Sequence, residues 1–386
     1  MQANITISKD ILDWIIAKVD PGVLPSKLWE QLCAWKDGVK VPTYNQIEKI
    51  SKASGIPLGY FFLKKPPDED TSFVEYRTVD SVELSNPSRN LMDTMHDMEI
   101  VQDWLRNELS TTGGEKLPFV GKINSRVTCK MFADYVRQLL QLKINWYEQN
   151  HTVEENFRFL RNQISTVGVV VMMSGIVGNN THRPLDTNEF RAFALVDDQA
   201  PLIFINSNDS TNGKIFSLLH EFAHICLGEN SLFNDRFSSA TNVSKVETLC
   251  NALAAEILVP KSIFLTEWNK HSTAKNNEEI IEVLAKWFKC GTTVIARRAY
   301  DQGLIDYSTY LKIAKTAVQL YLDHKAKNSG GGDYYRTATS RIDRRFFNLL
   351  IGSVHEGRTL YSDAFRLTNT NRSTFATLAE KMGGVI

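Results

Sequence analysis

Several things are scarce in this chain of 386 residues. Net charge is one: 44 basic side chains face 44 acidic ones, which argues against a protein built around nucleic acid or an anionic membrane. Cysteine is another. Cys33, Cys129, Cys226, Cys250 and Cys290 are scattered with no C-x-x-C pair, and an odd, sparse set fits a reducing cytosol better than a disulfide scaffold. No run of 18 apolar residues occurs, and the start MQANITISKDILDW lacks the basic-then-apolar plan of a signal peptide. The expectation is a cytoplasmic protein. Internal repeats are absent too.

What is present is a soluble, globular composition, 43% hydrophobic and 23% charged, long enough for two or three domains. LKKPPDED (63–70) reads as a linker, LSTTGGEKLP (109–118) as a loop and KNSGGGDYY (327–335) as a flexible joint. The pattern is helical before the first break, and 89–108 and 128–163 read as long amphipathic helices. Segments 167–177, 190–198 and 201–207 are rich in Val, Ile and Phe and read as strands. Helices follow at 213–227, 244–257, 277–289 and 291–302. Sheet first and helices after is an α+β plan, mostly helical with a small β-sheet.

The chemistry concentrates in IFSLLHEFAHICLGE (215–229), an apolar run that carries His220, Glu221 and His224. On a helix, His220 and His224 lie on one face a turn apart, a spacing that holds one Zn²⁺. Glu221 beside the first ligand is placed to serve as general base. A catalytic zinc needs a third protein ligand, and VETLCNALAAEILVP (246–260) offers Glu247 and Glu256. Nine residues of helix put these two half a turn apart, so only one can face the metal. Glu247 shares its face with Asn251 and is the choice; Asn251 is a candidate to orient a ligand, and Glu256 reads as a rim carboxylate. Cys226 and Cys250 read as small buried residues rather than thiolate ligands. For an oxyanion donor the candidates are His182, Arg183 and Arg191, with none preferred.

PLIFINSNDSTNGKIFSLLHEFAHICLG followed by VETLCNALAAEILVP resembles the ImmA/IrrE family of metallopeptidases. The resemblance places His220, Glu221 and His224 on the family's zinc-binding and catalytic pattern and Glu247 on its third ligand. Departures at Ser217, Phe222, Cys250 and Leu253 remove neither ligand nor base. LPSKLWEQLCAWKDGVKVPTYNQIEKISKASGIPLGYFFLKKPP (24–67) resembles the Xre-type helix-turn-helix region that precedes such peptidases, and FVEYRT (73–78) the linker strand between. The resemblance therefore spans roughly residues 10 to 310. It implies a helix-turn-helix-like module over 1–67, a linker strand and helical region over 68–165, a zincin-like peptidase domain over 166–326 and a helical segment over 333–386.

Residues 1–70 carry nine basic and nine acidic side chains, so phosphate neutralisation is weak. The segment where a recognition helix belongs offers Trp29, Leu32 and Trp35 instead of base readers. Protein contact or folding is therefore expected of this module ahead of DNA binding. The tail after the glycine joint carries eight basic side chains against five acidic, and DAFRLTNTNRSTFATLAEKMG reads as two short helices joined by a polar turn. Docking of a partner or nucleic acid and service as a helical lid both remain open for it.

Two functions follow. One is a zinc endopeptidase whose substrate, by the resemblance, is a protein such as a transcriptional repressor cut in a stress, phage or mobile-element response. The other, which the resemblance also implies, is an antitoxin or regulator that sequesters a toxin such as a PIN-like nuclease, with little or no proteolysis.

Overall fold

A computed structural model describes residues 5–19, 24–67, 87–124, 126–233, 245–327 and 334–382. The FVEYRT segment and most of the glycine joint lie outside them. The chain divides into two compact units: described residues up to Asp97 with Gly175–Leu185, and Met98–Ser174 with the rest from Asp186 onward. Among the described residues, no single helix is long and apolar enough to cross a membrane.

In the first unit, α1 (Lys9–Lys18), α2 (Ser26–Lys36) and α3 (Tyr44–Ser54) precede a 3-10 turn at Leu58–Phe62. A capping box of Thr43 and Gln46 starts α3, and Gly55 at φ +75° ends it. A side chain at position 55 would also strike Arg183, whose guanidinium pairs with Asp93 at 2.7 Å. Ile11, Ile15, Leu32, Trp35, Ile47 and Phe61 make the core. Leu32 and Trp35 therefore face the module's own body, and Trp29 packs against the same cluster. The exposed side of α2 carries Ser26, Lys27 and Glu30, with one charge of each sign. Helix α4 (Arg89–Thr111) begins in the first unit and continues in the second.

In the second unit α4 is followed by α5 (Cys129–Leu139) and α6 (Val153–Thr166). The single helix expected over 128–163 is thus broken. Gln141 takes a left-handed φ of +52°, and Leu142 N–H turns back to the Arg137 carbonyl. Trp146 is then buried with its Nε1 donating to the Ile257 carbonyl at 3.0 Å, and Thr152 with Glu155 forms the capping box that restarts the helix. Burying one large aromatic and re-capping outweigh helical continuity here.

Strands β1 (Val170–Ser174), β2 (Ala192–Leu195) and β3 (Leu202–Asn206), helix α7 (Thr211–Leu227) and strand β4 (Ser231–Phe233) follow. The sheet order is β1-β3-β2-β4, with β1 parallel to β3 and the other pairs antiparallel. Ala194 of β2 stands opposite Ser231 of β4. Every residue of β2 and β3 is buried, which is why they read as unbroken apolar runs and not as alternation.

Helix α7 is buried at every position from Ser217 to Cys226. Ser210 caps its start by accepting from Gly213 N–H at 3.0 Å. Gly228 ends it at φ +79°, and a side chain there would meet Gly121 at 2.9 Å. That close approach lets the backbone of Gly121 and Ile123 donate to the carbonyls of Ile225 and Cys226, two of the last-turn acceptors a buried helix cannot leave to water.

The remaining elements are all helical: α8 (Lys245–Leu258), α9 (Lys261–His271), α10 (Asn277–Phe288), α11 (Thr292–Asp301), α12 (Tyr307–Lys327), α13 (Tyr334–Arg341), α14 (Arg344–His355), α15 (Tyr361–Leu367) and α16 (Arg372–Met382). The architecture is mostly helical α+β, as the sequence indicates. The last helices are part of the second unit. Asp343, buried before α14, caps that helix and also accepts from Ser165 Oγ at 3.1 Å and from the backbone N–H of Val171 on edge strand β1 at 3.2 Å. Arg161 and Arg345 donate to the carbonyls of Val171 and Gly168, each at 2.7 Å. Asp343 and Arg161 thus cover the edge of the sheet at Val171, and Arg345 holds the chain just before the strand.

Candidate metal centre

Helices α7 and α8 pack closely, and their contact brings three donor groups to one point. His220 Nε2 and His224 Nε2 are 3.1 Å apart. From α8, Glu247 sets Oε2 at 3.2 Å from His220 Nε2 and Oε1 at 3.2 Å from His224 Nε2. These are the only such triad of possible metal-holding side chains among the described residues. His220 Nδ1 lies 3.0 Å from Asn251 Oδ1. An amide oxygen only accepts, so Nδ1 carries the proton and His220 Nε2 presents a lone pair. Tetrahedral donors at about 2.0–2.1 Å from Zn²⁺ stand roughly 3.3–3.4 Å from one another. The observed separations are close to that, so the residues fit a divalent cation.

Glu221 is fully buried beside this triad, at 0% exposure. Burial pushes its carboxyl above the ordinary range against the pull of His220, His224 and a hydrogen bond from the Ser231 hydroxyl. That bond, from β4, engages Oε2; Oε1 has no hydrogen-bond partner among the described residues. For Glu247 burial acts in the same direction but loses: the two imidazoles set against it hold the carboxyl far below its usual range. Burial likewise disfavours the charged His224, and the Glu247 hydrogen bond with the charges of Glu221 and Glu247 overturns it, raising the imidazole. The arrangement can hold a cation on two imidazoles and a carboxylate, and can take a proton on a second carboxylate beside it.

The other candidates are not among these donors. The Glu256 carboxylate takes Arg298 Nη2 at 3.0 Å and the backbone N–H of Lys261 at 3.3 Å, so it is committed to an ion pair and the start of α9 and is not a free rim group. Cys226 and Cys250 are buried, and burial pushes both thiols up, away from the thiolate a metal needs. Arg183 is buried in the first unit, bound to Asp93 and Asn90, which removes it as an oxyanion donor. Arg191 pairs with Asp209 at 3.4 Å, and His182 is exposed. Ser231 escaped the sequence reading. A short S-L-F run after the glycine that ends α7 was its one signal, and three residues are too few to mark a strand.

Two family models match the chain. Residues 165–300 are similar to the peptidase family M78, described as IrrE N-terminal-like domain. Residues 342–381 match a domain of unknown function, DUF8813. Neither match extends to the N-terminal region that resembles a helix-turn-helix module. No curated protein and no solved structure matches.

Proposed function

We propose that the chain is a cytoplasmic zinc-dependent endopeptidase and regulator of the ImmA/IrrE type, acting on a protein substrate. The observation that carries this is the convergence of His220, His224 and Glu247 donors at 3.1–3.2 Å beside a carboxylate with one anchored and one open oxygen. The similarity of residues 165–300 to a peptidase family supports it.

In this reading His220, His224 and Glu247 hold the ion. Zinc bound there supplies Lewis acidity for the scissile carbonyl and the attacking water. Asn251 fixes the His220 tautomer, so that Nε2 keeps its lone pair for the ion. Ser231 holds Glu221 Oε2, which leaves Oε1 as the atom that takes the water's proton and returns it to the leaving amine. A carboxyl raised by burial suits both halves of that transfer. A transcriptional repressor is the substrate class the family resemblance suggests.

One observation bears on the binding reading, a protein that holds a toxin such as a PIN-like nuclease: His220 and Glu221 are both fully buried, and sequestration does not require the carboxylate to be open to a substrate. Co-purification from the native host separates the two. A substrate that stays intact only with Glu221→Gln supports the peptidase. A partner recovered uncut with the unaltered protein supports sequestration. Cleavage by Glu221→Gln at the unaltered rate sinks the assignment of the base.

A further inference from the structure

The first unit shows its large apolar side chains on one stretch of surface. After α2, Gly38 turns the chain at φ +69°, and the N–H groups of Val39 and Lys40 both fold back on the Ala34 carbonyl, at 2.9 and 3.2 Å. The turn's backbone is thus satisfied from within, and its side chains are what it presents outward. Val39, Val41, Tyr44, Phe62 and Leu63 are 39–72% exposed, while Ile47, Ile50 and Phe61 of the same stretch fill the core. Tyr44 at the start of α3 stacks on Phe62 of the 3-10 turn, with centroids 6.4 Å apart and planes 23° off parallel. Single exposed apolar residues are ordinary on a protein surface; five gathered on two adjoining turns mark a place of contact.

The charges around these groups say what fits there. Residues 37–65 hold five lysines against Asp37 and Glu48, and Glu48 is already paired with Lys52 at 2.7 Å. Lys40, Lys49, Lys64 and Lys65 are exposed and have no ion-pair partner among the described residues. Directly after Pro67 the chain reads DEDTSFVEYRTVDSVELSN (68–86), outside the described residues. That segment carries six acidic side chains against Arg77 alone, interleaved with Phe73, Val74, Tyr76, Val79, Val82 and Leu84. The balance of nine and nine over residues 1–70 therefore hides a separation. Up to Pro67 there are nine basic side chains against six acidic, and Asp68, Glu69 and Asp70 supply the rest. A basic apolar surface is followed at once by an acidic apolar segment, which is complementarity in both charge and hydrophobicity.

We infer that residues 68–86 dock on this surface of their own chain. Phe73 and Tyr76 lie against Tyr44 and Phe62, and the acids answer Lys40, Lys64 and Lys65. Six residues from Pro67 to Phe73 extend to about 20 Å at most, enough to turn back over Phe62. A tether that short holds the segment at about millimolar effective concentration, so even a weak contact is filled. The apolar surface is thereby withheld from other chains, and an incoming protein must be acidic and aromatic enough to displace the segment. The contact needs nothing from the metal centre.

The test treats the full-length protein with a carbodiimide, which joins a carboxylate to an amine only where the two touch, and maps the links by mass spectrometry. Lys40 is expected to link to Glu75, Asp80 or Glu83. A mixture of light and heavy-isotope protein tells links within a chain from links between copies. Phe73→Ser with Tyr76→Ser should cut the links about tenfold and raise binding of a hydrophobic dye at least about threefold. Adding Phe62→Ser to that pair should bring dye binding back down, because Phe62 is 47% exposed and its loss removes part of the uncovered surface while sparing the core. Absence of a Lys40 link, links found only between copies, or links that survive the paired substitution overturns the inference. So does dye binding that the pair leaves unchanged, or that Phe62→Ser raises further.

Discussion

Asp343 and Glu108 are buried about as thoroughly as Glu221, at 1%, 7% and 0% exposure, yet their surroundings are finished differently. Asp343 receives Ser165, Val171, Arg345 and Phe346 between its two oxygens. Glu108 receives Ser353 on one oxygen and Arg358 on both. Around Glu221 the accounting stays open: its Oε1 and the Nδ1 of His224 have no hydrogen-bond partner among the described residues. Buried polar groups normally complete one another, because each unmet one costs about 1–3 kcal/mol. A cluster that is closed holds helices in place. A cluster left open beside three converging donors is where a cation could be held.

That contrast can be broken by substitution. Glu221→Gln should lower peptide cleavage by at least about a thousandfold while leaving metal content and thermal midpoint in place. A folding defect in that variant would place Glu221 with the structural carboxylates. His220→Ala or Glu247→Ala should abolish binding of about one Zn²⁺ per chain, measured by elemental analysis, whereas Glu256→Ala should retain it. Full occupancy in both ligand variants would remove the donor set. Asp343→Ala should destabilise the second unit by about 3 kcal/mol in chemical denaturation, since it strands backbone and hydroxyl donors in a dry site. Its zinc content in the folded fraction should not change.

Two smaller effects sharpen the same contrast. Asn251→Ala should weaken zinc affinity about tenfold by freeing the His220 tautomer, read by competition with a chelating dye. Glu108 gives a pH signature. Burial acts to raise its carboxyl, but the hydrogen bonds and charge of Arg358, with Ser353, pull it below the ordinary value. A depressed folded value means the stabilisation is complete above the unfolded pKa, about 4.3, and is lost as pH falls through the folded one. Glu108→Gln should therefore flatten the acid limb of a stability profile below about pH 4.3. An unchanged limb would show that the Arg358 pair contributes nothing to it.

How much of this was legible depends on distance along the chain. His220, Glu221 and His224 lie within one helical turn, so periodicity alone groups them. For Glu247 the phase of the next helix set it apart from Glu256, and its shared face with Asn251 and the family resemblance made the choice. The break at Gln141 was not legible, because glutamine carries none of the turn preference of Gly or Asn and the cause, burial of Trp146, lies in its tertiary setting. Leu32 and Trp35 were read correctly as apolar contacts, and their partner proves to be the module's own core. The tail's two short helices and polar turn were visible in the pattern of DAFRLTNTNRSTFATLAEKMG. Its attachment to the sheet edge was not, since no local pattern marks a carboxylate that serves a strand 172 residues away.

That separation has a consequence during synthesis. Strand β1 and both metal-site helices are made well before Asp343, which follows Val171 by 172 residues. A nascent chain can therefore assemble the sheet while the N–H of Val171 is still unanswered and the edge is open to pairing with another chain. Ribosome stalling between α8 and α14 would release a product with every proposed zinc ligand and a sticky sheet. A chain interrupted there is expected to aggregate more readily than the full-length protein.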